Sequence, residues 1–113
     1  MFEKDRLILA AIPESVEKVQ VFSGGLAGVD EFYADIKSFD AVLMNFVIIG
    51  EMIARLSDDF IDRNNRIEWH KIKGFRNIVA HNYFGVDAEE VWQIIKNDIP
   101  DLKEKIESLL ANK

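Results

Sequence analysis

The chain has no cysteine among its 113 residues. That excludes a disulfide framework, a thiolate zinc site and a cysteine nucleophile, and it fits a cytoplasmic protein. Proline occurs twice, at Pro13 and Pro100. Long apolar runs are missing too: the longest, Ala41 to Gly50, is interrupted by Asn45 and is too short to cross a bilayer. The first residues, Met1-Phe2-Glu3-Lys4-Asp5, are acidic where a signal peptide needs a basic start, so neither export nor membrane contact is expected. A basic excess is also lacking. The net charge is −6, opposite in sign to that of a general nucleic-acid binder. No β-type alternation, internal repeat or low-complexity tract is present.

What is there is a core-forming chain with a polar cluster late in its sequence. A hydrophobic content of 49% supports a single domain spanning 1–113, large enough to bury roughly two thirds of its unfolded surface. Charge is unevenly spread. Arg63, Arg66, Lys71, Lys73 and Arg76 face one acid, Glu68, between positions 63 and 76, whereas Asp58, Asp59, Asp62 and the C-terminal third carry the acidic excess. Such a local patch suits a few phosphates or an acidic partner, and charge alone does not choose.

Apolar periodicity predicts helix almost throughout. Leu9, Ile12, Val16 and Val19 form one stripe, with Pro13 inside it, which predicts a kink or a fresh helix start there. Gly24, Gly25 and Gly28 mark a loop. Asp30 is the expected cap of a long helix carrying Phe32, Ile36, Phe39, Leu43, Phe46, Gly50 and Ile53, with a stripe so wide that the helix is central or shared between two subunits. A short polar turn at 58–65 precedes a motif helix over 67–81 that buries Ile72, Phe75 and Val79 and stops at Gly85. Asp87 then caps a last helix, with Glu90 closing a capping box, Val86 stapled on Val91 and a kink before Pro100. The expected fold is all-α, an up-and-down bundle of four to five helices.

Arg76-Asn77-Ile78-Val79-Ala80-His81-Asn82-Tyr83 gathers a guanidinium, a carboxamide, an imidazole and a phenol in eight residues. A planar cation suits phosphate oxygens, and histidine exchanges protons near neutral pH. Residues five apart on a helix lie about 140° apart, so Arg76 and His81 do not share a face, whereas Asn77 and His81 do. A histidine near a helix C-terminus also has a purely structural role open to it, through the helix dipole.

The Arg76-to-His81 spacing, with Asn77 after the arginine and His81-Asn82-Tyr83 as His-x-Tyr, resembles the signature of the HEPN superfamily and its HepT-like toxin branch. Ile48-Ile49-Gly50-Glu51, Trp69, Phe84-Gly85-Val86-Asp87 and Trp92 resemble further parts of that pattern, over roughly residues 5 to 110. The sequence departs from it at Met44, where such proteins often carry arginine before Asn45. The resemblance implies a HEPN-like homodimer with endoribonuclease activity that needs no metal or cofactor. It further implies His81 as acid/base group, Arg76 as phosphate clamp and Asn77 as positioning residue, while the local basic patch offers Arg63, Arg66, Lys71 and Lys73 as candidate RNA contacts. The implied partner is an MntA-like nucleotidyltransferase antitoxin that attaches AMP to Tyr83. A non-catalytic helical module that docks a nucleotidyltransferase or a nucleotide is the alternative, and the acidic total charge and Met44 speak for it.

The other polar candidates read more plainly. Glu51 is either a carboxylate near the site or, more commonly for such a residue, a cap or ion-pair partner. His70 reads as solvated. Asp58, Asp59 and Asp62 lack the glycine and terminal glutamate of a calcium loop and read as surface charge. Trp69 and Trp92 read as core anchors, and the Phe and Ile stripes as core or dimer seam.

Overall fold

The computed structural model describes residues 2–81 and 85–111, leaving out the side chains of residues 80 and 81. Among the described residues every regular element is helical. The elements are α1 (Glu3–Ser23), α2 (Val29–Ala34), α3 (Ile36–Ala54), α4 (Asp58–Arg63), α5 (Trp69–Lys73), α6 (Phe75–His81), α7 (Ala88–Gln93), a π-turn (Ile94–Asp98) and α8 (Ile99–Ala111). Of these, α3 is the hub: α1 lies along one flank, α5 and α6 along another, and α8 closes on α1. No described helix is long and apolar enough to cross a membrane.

The predicted stripe of α1 is its core face: Leu9, Ile12, Val16 and Val19 are fully buried. Pro13 does not restart the helix, which runs unbroken through it. Proline removes one internal hydrogen bond, and buried residues on both sides of it hold the helix together. Gly24 ends α1, and Gly25 takes the loop onward at φ 85°, a conformation that favours glycine.

Two breaks were not expected. The long helix predicted from Asp30 onward is divided at Asp35, whose side chain accepts the amide of Ser38 at 3.1 Å and caps α3, while Gly28 caps α2 and Asp30 falls in its first turn. An aspartate three residues ahead of an open amide offers the backbone an alternative to continued helix, and here that alternative prevails. Ile36 is consequently 71% exposed, although the heptad placed it in the seam. The motif helix is likewise divided, at Gly74, into α5 and α6.

Ser57 caps α4 at the expected polar turn, accepting the amide of Phe60, and it donates its hydroxyl to Asp5 at 2.7 Å. Asp5, 1% exposed, also accepts the Ser57 amide, so the first turn of α1 is pinned to the start of α4. Asp87 caps α7 as predicted, accepting from Glu89 and Glu90. The irregularity expected before Pro100 is the π-turn, in which Ile99 donates to Ile94. Pro100 has no amide to give the Lys96 carbonyl, and the wider turn absorbs that loss. Both tryptophans are buried, and Trp69 donates its indole N–H to the Asn64 carbonyl at 2.8 Å.

Candidate active site

Arg76 lies on α6 against α3, and one close approach sets its place. Gly50 faces it: a methyl at position 50 would stand 2.8 Å from the Arg76 Cβ, 3.0 Å from its amide nitrogen and 3.1 Å from the Lys73 carbonyl oxygen. Only glycine lets the two helices come this near. One turn earlier, Phe46 stacks on Phe75 with ring centroids 5.0 Å apart, which fixes the register of the contact.

That register brings the guanidinium to Glu51, with Nη1 donating to Oε1 at 2.6 Å. Both side chains are partly open to solvent, at 33% and 44%. The hydrogen bond from Arg76 holds the Glu51 carboxyl below its ordinary pKa, with Arg55 adding a smaller attraction. The pair uses one guanidinium donor of five, so the planar fork keeps capacity for a phosphate. Of the roles the sequence offered for Glu51, ion-pair partner is the one found, and it lies at the candidate site itself. The sequence cue was the Gly50-Glu51 dipeptide, since a small residue marks where a second helix approaches and the next residue flanks that contact.

Asn77 is exposed on α6, one residue and about 100° beyond Arg76. His81 is the last residue of α6. Its side chain lies outside the described residues, as do Asn82, Tyr83 and Phe84, and the expectations for His81 and Tyr83 fall there. The α3 surface beside Glu51 is apolar: Met44, at 60% exposure, and Ile48, at 38%, precede it at helical spacing on the same side. Met44 thus places a thioether on open surface where an arginine was expected.

The basic run does not converge on Arg76. Arg63 is paired with Asp59 at 3.1 Å, and with Arg66 it lines a groove of about 510 Å³ between the α4–α5 loop and α8. Lys71 is paired with Asp98 at 3.0 Å, a hydrogen bond that raises its pKa, and it lines a separate groove of about 670 Å³ beside α7. Lys73 is exposed on α5. Arg76 lines neither groove. Asp58, Asp59 and Asp62 form no cluster able to hold a metal, and no group of three or more such ligands occurs among the described residues. His70 is exposed, at the rim of the larger groove.

Comparison with known proteins places this geometry in a family. A family model described as ribonuclease HepT-like matches residues 12–109. A probable ribonuclease HepT of Thermococcus cleftensis is 35% identical over 101 residues, covering 89% of this chain and 91% of the relative. A candidate RNase of Methanocaldococcus jannaschii is 32% identical over 113 residues, covering 99% and 93%. A protein of the same organism, named as a gamma-glutamylcyclotransferase and candidate RNase, is 36% identical over 101 residues, and there the chain spans only 45% of the relative's length. No solved structure matches. With the helical architecture, the Gly50–Arg76 approach and a family match over most of its length, the chain belongs to the ribonuclease HepT-like family and has its all-α, HEPN-like fold.

Proposed function

We propose that the protein is a metal-independent endoribonuclease, the toxin of a two-gene toxin–antitoxin pair. The observation that carries this reading is Arg76 of the family motif, seated against Gly50, oriented by Glu51 and still reachable by a phosphate. In the proposed reaction the ribose 2′-hydroxyl attacks the adjacent phosphorus and the P–O5′ bond breaks. His81 takes the proton of the 2′-hydroxyl or supplies one to the departing 5′-oxygen, and Arg76 neutralises charge that builds on the non-bridging oxygens. Asn77 orients the imidazole or the substrate. The products are a 2′,3′-cyclic phosphate and a free 5′-hydroxyl.

Arg76 and His81 lie about 140° apart around one helix, so one copy is poorly arranged to use both. A homodimer with α6 of each copy facing a shared cleft removes that difficulty. The exposed Met44–Ile48 strip beside Glu51 supplies apolar surface for the contact. Tyr83 is the proposed acceptor of AMP from a nucleotidyltransferase antitoxin, whose added phosphates would repel RNA from the cleft. The whole is read as a cytoplasmic, single-domain protein.

The test is cleavage of labelled RNA in excess chelator by the wild type, His81→Ala and Arg76→Ala. Wild-type cutting with cyclic-phosphate ends, lost in both variants and blocked by a 2′-deoxy substitution at the cut site, is expected. Equal activity in His81→Ala, or 5′-phosphate products, would refute the mechanism. The rival reading, a non-catalytic module, draws on the Arg76–Glu51 pair, because a paired guanidinium is already partly neutralised. A wild type that binds a nucleotidyltransferase but cuts no RNA would establish it.

A further inference from the structure

Transesterification of RNA moves two protons, one off the attacking 2′-hydroxyl and one onto the departing 5′-oxygen. The motif brings a single imidazole to this task. In-line displacement sets the attacking and leaving oxygens on opposite sides of phosphorus, so one group serves both poorly within a single step. The chemistry calls for a second proton carrier beside the phosphate clamp, and α3 holds one there.

That group is Glu51. Its Oε1 accepts from Arg76 Nη1 at 2.6 Å, and among the described residues its Oε2 makes no hydrogen bond. The side chain is 44% exposed, which leaves Oε2 open to an incoming donor. The close approach at Gly50, the preceding residue, fixes where the carboxylate stands relative to the guanidinium. A phosphate that takes the remaining donors of Arg76 becomes a neighbour of that carboxylate. A 2′-oxygen in line for attack stands about 3–3.5 Å from phosphorus, and it carries its proton into the reach of Oε2. Base and clamp come from the same chain, so the pair is complete in each copy, whichever copy supplies the imidazole.

The charge state suits the role. The hydrogen bond from Arg76 on α6, with a smaller attraction from Arg55 on α3, keeps Glu51 ionised and proton-free at neutral pH. A bound phosphate competes for the same guanidinium and adds negative charge beside the carboxylate, so its proton affinity rises as the reaction begins. An ordinary imidazole holds its proton more tightly than a carboxylate and is the one to arrive protonated.

We infer that Glu51 is the general base of the reaction and that His81 acts as its general acid. The inference rests on the ribonuclease reading and divides between two side chains the proton transfers which that reading left to one. The 2′-O–H bond breaks, its proton passes to Glu51 Oε2, and the 2′-oxygen bonds to phosphorus. The P–O5′ bond breaks, and the 5′-oxygen takes a proton from the His81 imidazolium. Glu51 ends protonated and His81 neutral, and exchange with water restores both.

The experiment compares wild type, Glu51→Gln, Glu51→Ala and His81→Ala on RNA and on the same RNA with sulfur replacing the bridging 5′-oxygen at the cut. Glutamine keeps an oxygen that can accept from Arg76 but takes no proton. Both Glu51 variants should therefore cut ordinary RNA slower by on the order of a hundredfold, with circular dichroism unchanged for Glu51→Gln. Sulfur departs as a thiolate, which needs no proton from the enzyme. On that substrate His81→Ala should regain most of its lost rate, and Glu51→Gln should regain none. Wild-type kcat/KM should fall as pH drops through the folded pKa of Glu51, which lies below 4.5, and Glu51→Gln should lack that limb. If Glu51→Gln cuts like wild type and Glu51→Ala does not, Glu51 only positions Arg76 and the inference is overturned. Rescue of Glu51→Gln by sulfur, or an acid limb that persists in it, overturns the inference as well. A wild type that cuts no RNA sinks the ribonuclease reading itself, whereas a cutting wild type matched by Glu51→Gln sinks the base assignment alone.

Discussion

Gly50→Ala tests the link between helix packing and the candidate site. In an exposed helix interior this change stabilises by about 1 kcal/mol, because alanine is the better helix former. Here the new methyl would meet the Arg76 Cβ at 2.8 Å and two backbone atoms of α5 and α6, at 3.0 and 3.1 Å. Backbone cannot rotate away as a flexible side-chain tip can, so α6 must move off α3. Overpacking of this kind costs about 1–3 kcal/mol, which outweighs the propensity gain over most of its range. The expected net loss is about 1 kcal/mol, read as a fall of roughly 4–8 °C in Tm for a domain near this size. The same displacement lengthens the Arg76–Glu51 contact, now 2.6 Å, and should lower RNA cleavage more than stability. Thermal unfolding followed by circular dichroism, with cleavage rates measured well below Tm, checks both. A variant as stable as the parent or more so, with unchanged cleavage, would refute the argument that glycine is needed for this approach.

Other perturbations have equally defined outcomes. Glu51 has a lowered pKa in the fold, so its contribution is present above its ordinary value of 4.5 and is lost as pH falls through the folded value. Glu51→Gln should therefore flatten the acid limb of the stability profile in urea titrations, and an unchanged limb would discount the pair. Lys71 has a raised pKa, so its contribution holds below 10.5 and fades as pH rises through the folded value. Lys71→Met should cost under about 1 kcal/mol at neutral pH, less still in high salt, since the pair is solvent-exposed. Ser57→Ala removes the α4 cap and one partner of buried Asp5, and should cost about 2–4 kcal/mol in denaturant unfolding. If the proposed homodimer forms through the Met44–Ile48 strip, Met44→Asp with Ile48→Asp should leave a monomer by light scattering and abolish cleavage with little loss of helix; a wild type that is monomeric, or a variant that still dimerises, would refute that seam.

The helical content and most of the core were legible because apolar spacing is a strong, redundant signal: Leu9, Ile12, Val16, Val19, Phe32 and Phe46 all fall inside as predicted. The cap at Asp87 was legible for the same reason, as it precedes an apolar-periodic run, whereas Ser57, which caps α4, lies ahead of a polar stretch and carried no such signal. The breaks at Asp35 and Gly74 were not. Both lie within uninterrupted stripes, where periodicity continues across a change of axis and only one residue of local chemistry marks the join. At the site, the motif identified Arg76, but its partner Glu51 lies 25 positions away on another helix. Spacing within one helix carries no information about such a pair until the packing of α3 on α6 is known. The basic run is continuous in sequence but not in the fold, where Arg63 and Lys71 line different grooves and Arg76 lines neither.

The five-residue turn at Ile94–Asp98 also bears on how the chain tolerates changes in length. In an ordinary helix, losing one residue swings everything downstream by about 100° and would pull Ile99, Leu102 and Ile106 out of the core. A π-turn already stores one surplus residue. Deleting Asn97 would return the stretch to regular α-helix and leave α8 facing as before, whereas a single deletion within α1 or α3 would unseat the packing on both sides of it.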